Sequence, residues 1–210
     1  MPSVLLNQIF EADRALRAAE RELLDKDPDA LTRLLATAVE TARGESSETG
    51  TMRLERLADL CSQVPGPLMA DALVSILDHE EPTVRHAAGE ALLDVAYDYY
   101  AEVARAIDRA LDEKRTGPAM CELPFLLAEV GEPGAVKQLK RFLQSESPEI
   151  VASAIEASVE LLDGEMLDAL RALGTDERVV TMVDFEDETT ATLGELANEA
   201  VAALESLEDL

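Results

Sequence analysis

The sequence predicts an all-α protein built from stacked helical hairpins, and three observations carry that prediction. Apolar residues recur at spacings of three and four from end to end, in short segments separated by Pro, Gly or acidic breaks. Composition is 47% hydrophobic but only 3% aromatic, with no Trp, so the core must be made of Leu, Ala, Val, Ile and Met, the palette of packed helices. Finally, Pro82, Pro118 and Pro148 each open a segment of about four turns at a mean spacing of about 33 residues, a period typical of stacked helical hairpins.

Taken in order, Val4, Leu5, Ile9, Ala12, Leu16, Ala19 and Leu23 describe a long helix that stops near Asp27-Pro28. Leu31, Leu34, Leu35, Ala38, Val39 and Ala42 describe its return, so residues 1–43 read as an N-terminal capping hairpin. Residues 44–51 are a polar loop, from Gly44 through Glu45, Ser46, Ser47, Glu48 and Thr49 to Gly50. The central repeats occupy 52–174. They start with a short helix carrying Leu54, Leu57, Ala58 and Cys61, then pair Leu68–Leu77 with a helix entered at Pro82, whose stripe is Val84, Ala87, Ala88, Ala91, Leu92 and Val95. Proline suits the first helical turn, where its missing N–H has no partner to lose. Val103–Leu111 and Val136–Leu143 are the first helices of the next hairpins, followed by the segments opened at Pro118 and Pro148, and Met166–Leu173 begins another. Pro124 is expected to kink its helix. An acidic insertion at 175–190 lacks a helical stripe, and a C-terminal helix at 191–210 regains one with Leu196, Ala197, Ala200, Val201 and Leu204. The length of 210 residues suits one domain.

Formal net charge is -26, with 18 basic residues against 44 acidic ones. Phosphate backbones are bound by Lys and Arg that release counterions, so direct nucleic-acid binding is not expected, nor is attraction to anionic membranes. Such a field favours basic partners or serves solubility. The start Met1-Pro2-Ser3 runs into Glu11, Asp13, Arg14 and Arg17 without an apolar stretch, so no signal peptide is expected, and no apolar run reaches the ~20 residues of a membrane span. Cys61 and Cys121 lie far apart among apolar neighbours, which predicts reduced, buried thiols in a cytoplasmic protein.

The run Asp78-His79-Glu80-Glu81-Pro82-Thr83-Val84-Arg85-His86-Ala87-Ala88-Gly89-Glu90-Ala91-Leu92 closely resembles the second-helix signature of bacterial HEAT repeats, including the subgroup named after phycobilisome lyases. Ser147-Pro148-Glu149-Ile150-Val151 followed by Ala154 is a second, looser copy. The resemblance implies a right-handed α-solenoid of stacked HEAT-like hairpins and a scaffold or adaptor role.

No catalytic centre, cofactor or metal is expected. HEAT architecture also hosts deoxyhypusine hydroxylase, whose His-Glu dyads hold two irons; Val84-Arg85-His86 looks like its motif, but Ala87 stands where Glu belongs. His79 and His86 are the only histidines, too few for such a centre. G-x-S-x-G and Gly-rich phosphate loops are missing. Two candidate partner-binding features stand out. Tyr97, Tyr99 and Tyr100, the only tyrosines, fall between two helices, and side chains at those offsets cannot all face one core. The second is Asp184, Phe185, Glu186, Asp187 and Glu188 in the acidic insertion, where a D-x-D-x-D-G calcium pattern is absent and a solvated loop is expected. From Asp176 to Leu210 there are 11 acidic residues against Arg178 alone. The expected function is a non-catalytic adaptor that docks a protein with a basic patch. Alternatives are an acidic sequestering regulator or antitoxin-like inhibitor of a nucleic-acid-binding protein, and a HEAT-type lyase or metal enzyme.

Overall fold

Five helices begin with proline at their first position, and side-chain caps help fix where several start. The computed structural model describes residues 2–45, 47–184 and 187–208. Its helices are α1 (Pro2–Leu24), α2 (Pro28–Arg43), α3 (Glu48–Ser62), α4 (Pro67–Leu77), α5 (Pro82–Asp112), α6 (Ala119–Val130), α7 (Ala135–Phe142), α8 (Pro148–Leu161), α9 (Leu167–Leu173) and α10 (Leu193–Glu208). A 3-10 turn at Gly164–Met166 precedes α9, and strands β1 (Val179–Asp184) and β2 (Asp187–Thr192) lie between α9 and α10. The protein is therefore mostly helical, as its apolar spacing predicts. The side chain of Asp27 accepts from the Ala30 N–H at 3.0 Å, and Ser147 accepts from Ile150 at 3.5 Å, each satisfying a donor that the helix cannot. Gly131 ends α6 in the left-handed region, its N–H bonded to the Leu127 carbonyl at 3.1 Å.

Each first helix folds back on a second: α4 packs on α5, α7 on α8, and α9 on α10, while α6 packs on α8 and α8 on α10. One continuous aliphatic core runs from Leu31 in α2 to Leu204 in α10, with Phe142 its bulkiest fully buried side chain. Arginines pin the first helices to one another. Arg43 of α2 donates to Ser75 of α4 at 2.7 Å, Arg109 in the second leg of α5 donates to Asp71 of α4 at 2.7 Å, and Arg141 of α7 donates to Asp108 of α5 at 2.6 Å. These half-exposed pairs add little stability singly, but their planar forks fix the register of neighbouring helices.

The structure differs from the sequence-based expectation at three places. α5 spans what reads as the end of one helix and the start of another; the break is a single residue, Tyr99, at φ -137° and ψ 45°. No Gly or Pro stands between Val95 and Val103 to stop the helix, so it turns a corner instead. α6, by contrast, runs from Ala119 to Val130 with Pro124 inside it, where the sequence places that proline. The polar loop is shorter than 44–51, because the Ser47 hydroxyl accepts from Gly50 at 3.2 Å and starts α3 at Glu48. The insertion is an antiparallel hairpin pairing Val179 with Thr192 and Asp184 with Asp187. Its β-branched residues, Val179, Val180, Thr181 and Val183 in one strand and Thr189, Thr190 and Thr192 in the other, fit a pleated ribbon better than a helix. Arg178 braces its base, donating to Asp176 at 2.7 Å and to the Ser145 carbonyl at 2.8 Å.

Among the described residues no helix is long and apolar enough to cross a membrane. Cys61 is fully buried in the core and Cys121 half-buried. Burial pushes the Cys61 thiol up to about 12. In the unfolded chain it ionises near 9.0, so its contribution is complete below pH 9 and is lost as pH rises towards 12. Cys61→Ala should therefore flatten the alkaline loss of stability in that window by up to about 1.4 kcal/mol per pH unit. Urea titrations at a series of pH values measure the slope; identical slopes for both proteins would refute the assignment.

Candidate functional site

Packing of the second helices determines what they expose. The first leg of α5 lies beside α6, α6 beside α8, and α8 beside α10, so their outward faces form one surface. The apolar stripes point into the core, and the opposite faces carry glutamates. Glu90 of α5, Glu122 and Glu129 of α6, and Glu160 of α8 line a cleft of about 460 Å³ whose floor includes Leu93 and Phe125. A neighbouring cleft of about 510 Å³ is lined by Glu149 and Glu156 of α8, Glu199 of α10 and Val180 of β1. α8 is the wall between them, since Glu149, Ser153, Glu156 and Glu160 are three or four residues apart and share one helix face. All seven glutamates are exposed.

Few cations answer them. Arg85 approaches Glu122 at 3.5 Å but is itself held by the Glu80 carbonyl at 2.8 Å, and His86 lies 3.5 Å from Glu90. Among the described residues, Glu129, Glu156, Glu160 and Glu199 have no cationic side chain within 4.0 Å. The Ser147 hydroxyl, 2.6 Å from Glu149, holds that carboxyl below its ordinary range and so keeps it charged. An apolar floor rimmed by unpaired carboxylates suits Lys and Arg side chains, whose stems are greasy and whose heads are cationic.

The tyrosines separate. Tyr97 is 59% exposed and its hydroxyl donates to Glu129 at 3.4 Å, which puts it on the edge of the first cleft. Tyr99 is 48% exposed at the corner of α5. Tyr100 instead seals the joint between α5 and α7: its ring lies over Gly134 and its hydroxyl donates to Gln138 at 3.3 Å. Gln138 is buried and donates in turn to the Ala104 carbonyl at 2.7 Å. Asp184, Asp187 and Glu188 lie at the far end of the hairpin, where Val183 pairs with Glu188; Phe185 and Glu186 lie outside the described residues. The base of the hairpin borders the second cleft through Val180 and Thr181. The groove thus reaches one tyrosine at one end and the hairpin's base at the other.

No family model matches the sequence, and no curated protein matches it. Among solved structures, the chain is similar to the crystal structure of an engineered protein from the Northeast Structural Genomics Consortium. The two are 16% identical over 89% of this chain and 95% of that one, with a TM-score of 0.36.

The histidines belong to local structure. His79 accepts from the Glu81 N–H at 3.1 Å within the turn, and His86 is exposed beside Glu90. Among the described residues no group of three or more His, Cys, Asp and Glu side chains is placed to hold a metal ion. Sequence reasoning missed the groove glutamates. The one available signal was the helical spacing of Glu149, Glu156 and Glu160, which 44 acidic residues conceal.

Proposed function

We propose that this chain is a cytoplasmic protein-interaction module, a right-handed α-solenoid of HEAT-like hairpins whose second helices grip a basic segment of a partner protein. The segregation of charge supports this reading. Arginines are taken up as pins between the first helices, while the second helices keep seven glutamates that, among the described residues, have only Arg85 and His86 beside them. Charge that served solubility alone would need no such division. The module acts as an adaptor: it binds and positions, and performs no chemistry.

The probe is a fluorescent Lys/Arg-rich peptide of about fifteen residues, followed by anisotropy at low and high salt. Affinity should fall steeply with ionic strength, because exposed charges more than about 10 Å apart are screened at 0.1 M salt. Converting Glu122, Glu129 and Glu160 together to Lys should weaken binding by about 30-fold, the equivalent of about 2 kcal/mol. The same charge change made with Lys at Asp29, Glu40 and Glu165 should cost less than about threefold. Equal losses from both triples, or indifference to salt, would defeat the proposal.

The regular run of carboxylates along α8 favours a second reading, an acidic sequestering regulator or antitoxin-like inhibitor that covers a nucleic-acid-binding surface. Competition between this chain and RNA for one captured partner separates the two.

A further inference from the structure

The least acidic part of the molecule carries six exposed large apolar side chains on one helix, α1. Among its described side chains, α1 has half-buried apolar residues only at its C-terminal end, Leu23 and Leu24, where it meets the core. Upstream, Leu5 is 63% exposed, Ile9 62% and Leu16 39%, and with Ala12 they keep the alternating spacing of four and three that marks a coiled-coil seam. Leu6 and Phe10 widen this stripe and are also exposed. Among the described residues, the amphipathic helix thus has no partner for its apolar face. Directly beside it, α1, α2 and α3 enclose a cleft of about 860 Å³. Leu16 belongs to both the stripe and the cleft wall, and Leu34 and Met52 stand exposed on the opposite side.

Charge selects the occupant. Residues 1–62 hold 12 acidic and 8 basic side chains, whereas the remainder holds 32 against 10. Two copies of a chain with net charge -26 repel each other at almost every approach. They can meet at this end, where Arg14, Arg17 and Arg56 are interleaved with Glu11, Asp13 and Asp59. A basic partner is drawn to the other end. The exposed large side chains of α1 lie beside a cleft walled in part by Leu34 and Met52, so the stripe of one copy and the cleft of another offer each other apolar surface to bury.

We propose that the N-terminal end is a homodimer interface, in which the Leu5–Ile9–Leu16 stripe of α1 from each copy lies in the cleft between α1, α2 and α3 of the other. The contact is isologous, so one two-fold axis buries both stripes and both clefts and leaves neither open to further growth. The glutamate groove takes no part in it, so the two proposals stand or fall separately.

Sedimentation equilibrium of the full chain tests the interface. At about 100 μM the wild type should run at twice 22.7 kDa, and raising the salt should preserve or tighten the dimer by screening the repulsion between copies. Ile9→Glu combined with Leu16→Glu should give a monomer at the same concentration, at least 30-fold weaker in association, with unchanged helical circular dichroism because both side chains are exposed. Ile9→Leu should remain dimeric. A wild-type monomer at about 100 μM overturns the proposal, as does a dimer that survives the double substitution. So does a monomer that uses α1 to hold a different protein.

Discussion

Phe142→Ala should destabilise the folded chain by about 4 kcal/mol, since truncating a buried aromatic loses its transfer free energy and leaves a cavity. Phe142 is fully buried at the end of α7, a helix of only eight residues whose apolar face is Val136, Leu139 and Phe142 and whose outer face is Lys137, Lys140 and Arg141. A helix so short does not hold itself together in water; packing holds it. Loosening it also frees Arg141 from Asp108 and Asp112, so the damage reaches the second leg of α5. For a chain of this size the melting temperature should fall by about 8–16 °C. Phe142→Leu, which keeps most of the volume, should cost about 1.5 kcal/mol. Thermal and urea unfolding measure both; a loss below about 1 kcal/mol for the Ala variant would show that α7 is not anchored through this ring.

Gly50→Ala should destabilise by about 3 kcal/mol, against the direction that helix propensity alone suggests. Gly50 lies in the first turn of α3, where Ala is favoured over Gly by about 1 kcal/mol. An added Cβ, however, would stand 2.3 Å from the Glu45 carbonyl oxygen and 3.0 Å from the Glu45 Cβ. The obstacle is main chain, which cannot swing aside as a side-chain tip does. Relief requires moving the α2–α3 connection and with it the 2.6 Å pair between Arg53 and Glu45. Gly89→Ala is the matched control: it is mid-helix and its Cβ meets only Leu77 at 3.9 Å, so it should be neutral or stabilising by about 1 kcal/mol. If chemical denaturation ranks the two alike, the close approach at Glu45 is not rigid.

Local rules made the helices readable. Pro28, Pro82 and Pro148 open α2, α5 and α8 as the sequence predicts, and the stripes at Leu68–Leu77 and Val136–Leu143 become α4 and α7 almost to the residue. The strands were not readable in the same way. Val179 to Val183 announces only that it is no helix, and its pairing with Thr189 to Thr192 is a relation between two segments, each too short to declare itself. α1 shows the converse problem: spacing says that Leu5, Ile9 and Leu16 share a face, but it does not say whether that face is covered. The groove lay beyond reach for a further reason. Which of 44 carboxylates converge depends on how α5, α6, α8 and α10 are rotated against one another, and that rotation is set by their buried faces. Tyr97 and Tyr100, three residues apart, illustrate it, since a corner at Tyr99 sends one to the surface and the other into a joint.

The dense contacts of this molecule join elements close together in the chain: α2 with α3 and α4, α6 with α7 and α8, α10 with α8 and α9. Among the described residues, rigidity is therefore handed along largely from neighbour to neighbour. A bound segment lying across α5, α6, α8 and α10 would act as a splint, spanning links that the polypeptide itself leaves jointed.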